Sequence, residues 1–494
     1  MSFRVPYQLL SDDHKSQIQK DLTIKEKPKY FQFTKKPIHK EIKFYSYDSS
    51  TGNVVIPLYY ACQLFQKPFI NQRRSFHQVP PFQVTATLRD YQEEVVSLAL
   101  TDLFKYGSTF LNVFCSFGKT VVAAYLAAMI SQKYNLCTLV TYPIKILKDS
   151  WAGTFHDRTN AKVFVVGETP GPPDPDVQVF ICMDTQFSQL DPAILNKIGY
   201  FIVDEADCYC TSGRSEALLS TQPLFTTLLT ATYERDDGME VMLDLLNGPH
   251  RITRISTRPF FVLNYVTSYD VEPEVGPHGI KFNNLVEQYD SIEQRNLLIL
   301  QMVLDNLSEK ILILTFHVEH ATNLHTWLTH YLQPYNKTCS LIAGNIKRYA
   351  DASVIVGTTK KMGRGTDEEK SCFDWKGERI NMLILASSTK KIEQIAGRVF
   401  RAEIPIIVDI VDNHKNVKAH WGTRRKWYNS RNGIILPVNN RFIWKDMWPS
   451  LMTEYFQRLK QGIPINPKVP DESQSIASEH AKNIINRLKS LSQA

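Results

Sequence analysis

Residues 109–130, TFLNVFCSFGKTVVAAYLAAMI, decide the fold. A short β-rich run, TFLNVFC, breaks at Ser116-Phe117-Gly118, and a helical pattern begins at Lys119-Thr120. A strand–loop–helix joint of this kind aims backbone N–H groups and the positive end of a helix at one point, which suits phosphate. Lys119 is placed to neutralise β- and γ-phosphates, and Thr120 to hold Mg²⁺. The strict phosphate-loop pattern, GxxxxGK[ST], asks for glycine where Val113 stands.

Outward from this joint the same texture repeats. CTLVTYP, VQVFICM, YFIVDEAD and LFTTLLTAT read as strands between helical stretches, and short buried strands separated by helices imply a parallel sheet. A second series starts near 290, with KILILTF, CSLIAG, ASVIVGT, RINMLILAS and IPIIVDIVD as strands and IEQIAGRVFRA as a helix. The expected architecture is α/β: two tandem parallel-sheet units, residues 86–265 and 290–430. The Pro-, Gly- and acid-rich stretch 266–289 reads as a linker, 1–85 as a small β-containing N-terminal domain, and 431–494 as a C-terminal extension.

Two further elements carry chemistry. Tyr200–Val203 runs into Asp204-Glu205-Ala206-Asp207, a buried strand whose carboxyl end delivers acids to a cleft. Asp204 suits Mg²⁺ through water, and Glu205 suits a general base that polarises the attacking water. In the second unit, Gln394-Ile395-Ala396-Gly397-Arg398-Val399-Phe400-Arg401 places Arg398 and Arg401 three apart on one helix face, able to fork onto phosphate oxygens.

Composition sets bounds. At 494 residues, 43% hydrophobic and 22% charged, the chain is in the ordinary globular range. No apolar window is long enough to span a bilayer, and the first residues lack a secretory pattern, so an intracellular compartment is expected. The eight cysteines are scattered without a CxxC pair, which fits reduced thiols, and Cys208-Tyr209-Cys210 lacks the other two ligands of a zinc site. The net charge of +7 is uneven. Residues 1–85 hold 13 Lys+Arg against 6 acids, 415–494 hold 14 against 5, and the middle holds 30 against 39. Basic flanks around an acidic middle suggest a polyanionic partner. The C-terminal flank sets Arg424, Arg425 and Lys426 beside Trp427 and Tyr428, and the N-terminal one sets Lys35 and Lys36 near Phe31 and Phe33; such aromatics either stack on bases or belong to the core.

Taken in order, these motifs resemble a superfamily 2 helicase, a tandem-RecA nucleic-acid motor. Leu88-Arg89-Asp90-Tyr91-Gln92 resembles the adenine-recognition segment, with Leu88 and Arg89 flanking and Gln92 as the adenine contact. SFGKT, with Ser116, Phe117, Gly118, Lys119 and Thr120, resembles motif I, and VDEAD motif II. LVTYPIKILKDSW (139–151) is similar to motif Ia, Thr230-Ala231-Thr232 to motif III, GTTKKMGRGTD (357–367) to motif V, and QIAGRVFR to motif VI. The likeness covers roughly 85–430. It is nearest to the branch holding the TFIIH-type DNA translocase and the poxvirus-type transcript-release DNA helicase, and so suggests a viral protein. Ser116 stands where that branch usually has glycine, and Tyr233 where proline is frequent after motif III.

The resemblance implies ATP and Mg²⁺ as cofactors, with Gly365 and Asp367 joining the nucleotide site and Gln394, Arg398 and Arg401 reaching across from the second unit. It implies DNA as the partner, RNA as a second candidate, and the transcription machinery as a further one, with no membrane. Lys145, Lys148, Thr230, Thr232, Thr358, Lys360 and Lys361 are the candidate strand contacts, mostly to phosphates. Movement would be 3′→5′, in transcript release or DNA metabolism, in host cytoplasm or virion. The literal DEAD letters suggest a DEAD-box RNA helicase instead, but that group usually has histidine where Gln394 stands. Two rivals remain open: a non-motor ATPase indifferent to nucleic acid, and a binding protein with a decayed site.

Overall fold

The computed structural model describes residues 1–27, 41–67, 76–196, 198–277, 279–346, 348–362 and 368–462. Two seven-stranded sheets dominate it, and every pairing within each is parallel. The first runs, edge to edge, through Ile252–Arg254, Ser108–Val113, Phe225–Thr230, Tyr200–Val203, Thr138–Tyr142, Val179–Met183 and Val163–Val165. Its central strands are buried because helices cover both faces: all residues of Tyr200–Val203, Phe225–Thr230 and Thr138–Tyr142 are buried. Val203 lies opposite Leu228 on one side and Thr141 on the other, so three strands end at one edge. That edge is where the acids and the phosphate loop emerge.

The second sheet runs through Cys339–Ile342, Val354–Thr358, Ile311–Thr315, Met382–Leu385, Ile406–Val411, Phe260–Val266 and Gly433–Val438. These are tandem RecA-like units. Phe260–Val266 pairs with Ile406–Val411, so the chain crosses between the sheets at 255–259, ahead of the stretch 266–289 read as a linker. That stretch carries a two-stranded hairpin and the start of the helix Phe282–Asp290. Gly433–Val438 adds the outer strand, and the helix Trp444–Gly462 lays Trp444, Trp448 and Tyr455 around Phe261 at ring distances of 4.8, 5.7 and 5.5 Å.

The N-terminal segment forms a three-stranded antiparallel sheet, Ser2–Pro6, Asn53–Pro57 and Ser46–Asp48, and a two-stranded one, Thr23–Lys25 and Glu41–Lys43. It is not set apart from the first unit. Ile56, Tyr60 and Ala61 share one apolar core with Phe201, Val203 and Leu228, and Ser2 Oγ donates to the Leu219 carbonyl at 2.9 Å. Lys35, Lys36, Gly365 and Asp367 lie outside the described residues.

Candidate active site

The phosphate-loop candidate hangs between Ser108–Val113 and the helix Lys119–Tyr134. Two of its residues hold left-handed backbone, Ser116 at φ +73° and Gly118 at φ +92°. At Gly118 a Cβ would lie 2.4 Å from Gln92 Nε2, so glycine is required on both counts. Gln92 braces this loop: its Nε2 donates to the Phe117 carbonyl at 2.7 Å while its Oε1 accepts the Arg89 N–H at 3.0 Å. Those two bonds leave one N–H and one lone pair of the amide for an adenine edge. Tyr91 meets the Phe117 ring edge-on at 5.1 Å, and Arg89 Nη1 donates to the Tyr91 hydroxyl at 2.6 Å.

Lys119 is enclosed by acids. Burial pulls its pKa down, but Cys115, Glu205, Asp204 and Glu393 more than offset this and hold it above the ordinary lysine value. Burial raises the Cys115 thiol, so at neutral pH the carboxylates do the holding. Asp204 follows the buried strand Tyr200–Val203. Its Oδ1 accepts the Glu205 N–H at 2.9 Å and its Oδ2 accepts the Trp151 Nε1–H at 2.8 Å. Burial pushes the Asp204 carboxyl above its usual value, against the pull of Lys119 and Trp151. Glu205 takes φ +48°, a strained conformation for a residue with a side chain, before the 3₁₀ turn Ala206–Tyr209.

The second unit closes directly onto this edge. Gln394 Nε2 lies 3.4 Å from both Glu205 Oε2 and Thr232 Oγ1. Ser116 Oγ donates to the Gly397 carbonyl at 3.1 Å, and a Cβ on Gly397 would meet Cys115 Cβ at 2.5 Å. The motif VI stretch is one helical turn, Glu393–Ala396, continued by i→i+3 bonds from Arg398 and Val399 rather than by a long helix. Residues three apart still eclipse in such a turn. The charge of Arg398 is felt at Cys115 across the junction, and that of Arg401 at Glu368 within its own unit.

No family model matches this chain. Putative helicase 161L of Invertebrate iridescent virus 6 is 27% identical over 380 residues, 70% of this chain and 82% of that one. Putative ATP-dependent RNA helicase L396 of Acanthamoeba polyphaga mimivirus is 23% identical over 501 residues, 94% and 90% of the two chains. Among solved structures, a fragment of a putative HsdR subunit of a type I restriction enzyme from Vibrio vulnificus YJ016 superposes with a TM-score of 0.51, covering 73% of this chain and 70% of that one. At 14% identity that likeness speaks to the fold. In sequence the chain is similar to these viral helicases, and in fold to a tandem-RecA protein.

Of the motif III residues, Thr230 and Ala231 are buried and Thr232 is half-buried at the cleft. Thr230, read from the sequence as a strand contact, is fully buried; its hydroxyl donates to Asp207 Oδ1 at 2.8 Å and accepts the Thr232 N–H at 3.0 Å. It ties motif III to motif II instead. Tyr233, at the position where proline is frequent, roots the same loop: its hydroxyl donates to buried Asp244 at 2.6 Å, and the Arg251 guanidinium lies 3.5 Å from its ring centroid. Thr358 is likewise buried, at the end of Val354–Thr358, and Lys148 is paired with Glu168 and Asp149. Lys145 and Lys360 do face open space. They line a cleft of about 1180 Å³ between the units together with Lys390 and Lys391, and with Arg235 and Arg431, which pair with Asp237 and Glu393; these four cations were missed in the sequence, and Glu234 and Asp236 also line the cleft. Arg424 is no surface residue; it is buried and paired with Asp409.

Among the described residues no group of three or more His, Cys, Asp or Glu could cage a metal ion. Mg²⁺ takes one or two protein oxygens and completes its shell with phosphate and water. Asp204, just past a strand end, and Thr120, in the first turn of the loop helix, are the residues that would hold it. No helix among the described residues is long and apolar enough to cross a membrane.

Proposed function

We propose that this protein is a helicase, an ATP-driven nucleic-acid translocase whose nucleotide site is completed only where the two units meet. One observation carries the reading: Gln394 of the second unit reaches Glu205 and Thr232 of the first. Lys119 holds the β- and γ-phosphates, Gln92 meets adenine, and Arg398 and Arg401 face the transferring group. Glu205 and Gln394 orient the water. Its oxygen attacks the γ-phosphorus as the bond to the bridging oxygen breaks, and Glu205 takes the proton. Mg²⁺ held by Thr120 and Asp204 would offset charge on the phosphate oxygens. Gly365 and Asp367 are proposed as further nucleotide contacts.

Hydrolysis loosens the junction, and because each unit grips a strand, opening and closing change the distance between grips. The cationic cleft supports a strand held mainly by phosphates. The polymer proposed is DNA, with 3′→5′ movement in viral transcription or DNA metabolism, inside the host cell or virion. RNA is the second reading, favoured by the name of the mimivirus relative, which aligns along 94% of this chain. ATP turnover titrated with single-stranded DNA, duplex DNA and RNA decides between them. Lys119→Ala should abolish turnover and leave strand binding; turnover equal to wild type would remove the motor reading.

A further inference from the structure

Trp151 has no part in the proposed chemistry, yet its side chain ends on the acid at the centre of the site. Its indole is wholly buried, on the helix Leu147–Arg158, stacked on Phe155 at 6.2 Å and 26°. An indole N–H is a donor only, and a buried one needs a partner. Here the partner is Asp204 Oδ2, at 2.8 Å. The other oxygen, Oδ1, accepts the backbone N–H of Glu205, so Trp151 is the side chain that fixes the rotation of this carboxylate. A neutral donor does so without supplying a counter-charge, so the negative charge stays available to a cation.

The helix carrying Trp151 has a second attachment. It begins two residues after Lys145, which is exposed at the wall of the cationic cleft. It also packs against the helix Lys119–Tyr134 that starts at the phosphate loop. A strand drawing on Lys145 therefore pulls on the element that holds the Asp204 carboxylate. The path is one rigid helix of 12 residues, with a cleft contact ahead of its start and the indole in its second turn.

We propose that Trp151 is a positioning residue that sets Asp204 for Mg²⁺, and that its helix transmits strand engagement at Lys145 to the metal site. The proposal rests on the ATP-driven translocase reading and adds a reciprocal linkage to it: strand binding tightens Mg²⁺, and Mg²⁺ with nucleotide tightens the strand.

The test is equilibrium binding of a fluorescent ATP analogue, titrated with Mg²⁺, in the presence and absence of a single-stranded oligonucleotide, DNA and RNA in separate arms. Trp151→Phe keeps the ring stack and removes the donor. Phe155→Leu disturbs the same stack without touching Asp204. Losing a hydrogen bond to a metal-holding carboxylate typically weakens metal binding by about 10-fold or more. Trp151→Phe should raise the half-saturating Mg²⁺ by about that factor and abolish the lowering that the oligonucleotide causes in wild type. Phe155→Leu should keep both wild-type values. Equal Mg²⁺ dependence in wild type and Trp151→Phe, or the same shift in both variants, overturns the positioning role. An oligonucleotide effect that survives in Trp151→Phe overturns the transmission. If Trp151→Phe does not fold, benzothienylalanine at position 151 replaces the N–H by sulfur in the same shape and gives the same readouts. Turnover of the wild type with nucleic acid stands apart from these titrations, so failure of the motor reading is seen separately.

Discussion

Asp204, just past a parallel strand of the first unit, and Asp409, within one of the second, are both buried carboxylates, and their surroundings differ in kind. Asp409 sits within Ile406–Val411 and takes the Arg424 guanidinium on both oxygens, at 2.7 and 2.8 Å, plus the Tyr428 hydroxyl at 2.8 Å. Its charge is answered where it stands. Nearby Asp412 is answered the same way, by Arg295 at 2.9 Å and Thr267 at 2.8 Å. Asp204 instead receives two N–H donors and no guanidinium, with Lys119 as its neighbouring cation. The second unit answers Asp409 and Asp412 internally, and its Gln394 reaches across to Glu205 and Thr232. In the first unit Asp204 is oriented by neutral donors alone. A saturated ion pair holds a fold, whereas an oriented but unneutralised carboxylate can hold a cation.

The contrast can be broken by mutation. Arg398→Ala should lower ATP turnover by about 10³ or more if its guanidinium serves the transferring phosphoryl group, without altering the melting temperature. Arg424→Met should do the opposite. Stranding Asp409 and Tyr428 should cost about 3–5 kcal/mol of stability, read in denaturant unfolding, while nucleotide binding to the folded fraction stays unchanged.

Acid should strain both units alike. Burial holds His250 in the first unit and His420 in the second at about 4, against an ordinary 6.5. Between those values the unfolded chain binds protons that the folded one refuses, so stability is complete above 6.5 and declines as pH falls towards 4. Replacing His250 by Gln should flatten that decline for the first unit, as followed by thermal melts across the window. The smallest effect expected is at Ser116. Ser116→Ala keeps the strained backbone and loses the bond to Gly397, whereas Ser116→Gly loses the bond and relieves the strain. The glycine variant should be the more stable of the two by about 1 kcal/mol.

Much of this was legible in the sequence. The phosphate loop, the acids after Val203 and the two sheets follow from apolar runs broken at the right residues, because strand ends and helix starts are local features. What was not legible depends on partners distant in the chain. Phe260–Val266 reads as a strand, but only its pairing with Ile406–Val411 assigns it to the second sheet. Arg424 looks like part of a basic surface run until Asp409, 15 residues earlier, is found beneath it. Thr230 looks like a free hydroxyl until Asp207 claims it. Trp151 lies inside a recognised motif, yet nothing local signals that its N–H meets Asp204, 53 residues on. The N-terminal segment has its own strands, and only the shared core joins it to the first unit.

The central claim is that the nucleotide site is shared across the junction, and Gln394 tests it most directly, since it belongs wholly to the second unit. With Gln394→Ala, binding of an ATP analogue to the first unit should persist while nucleic-acid-stimulated turnover falls by about 10² or more, the size expected for losing a group that orients the attacking water. Turnover at the wild-type rate would mean that the first unit works alone, and would contradict the account.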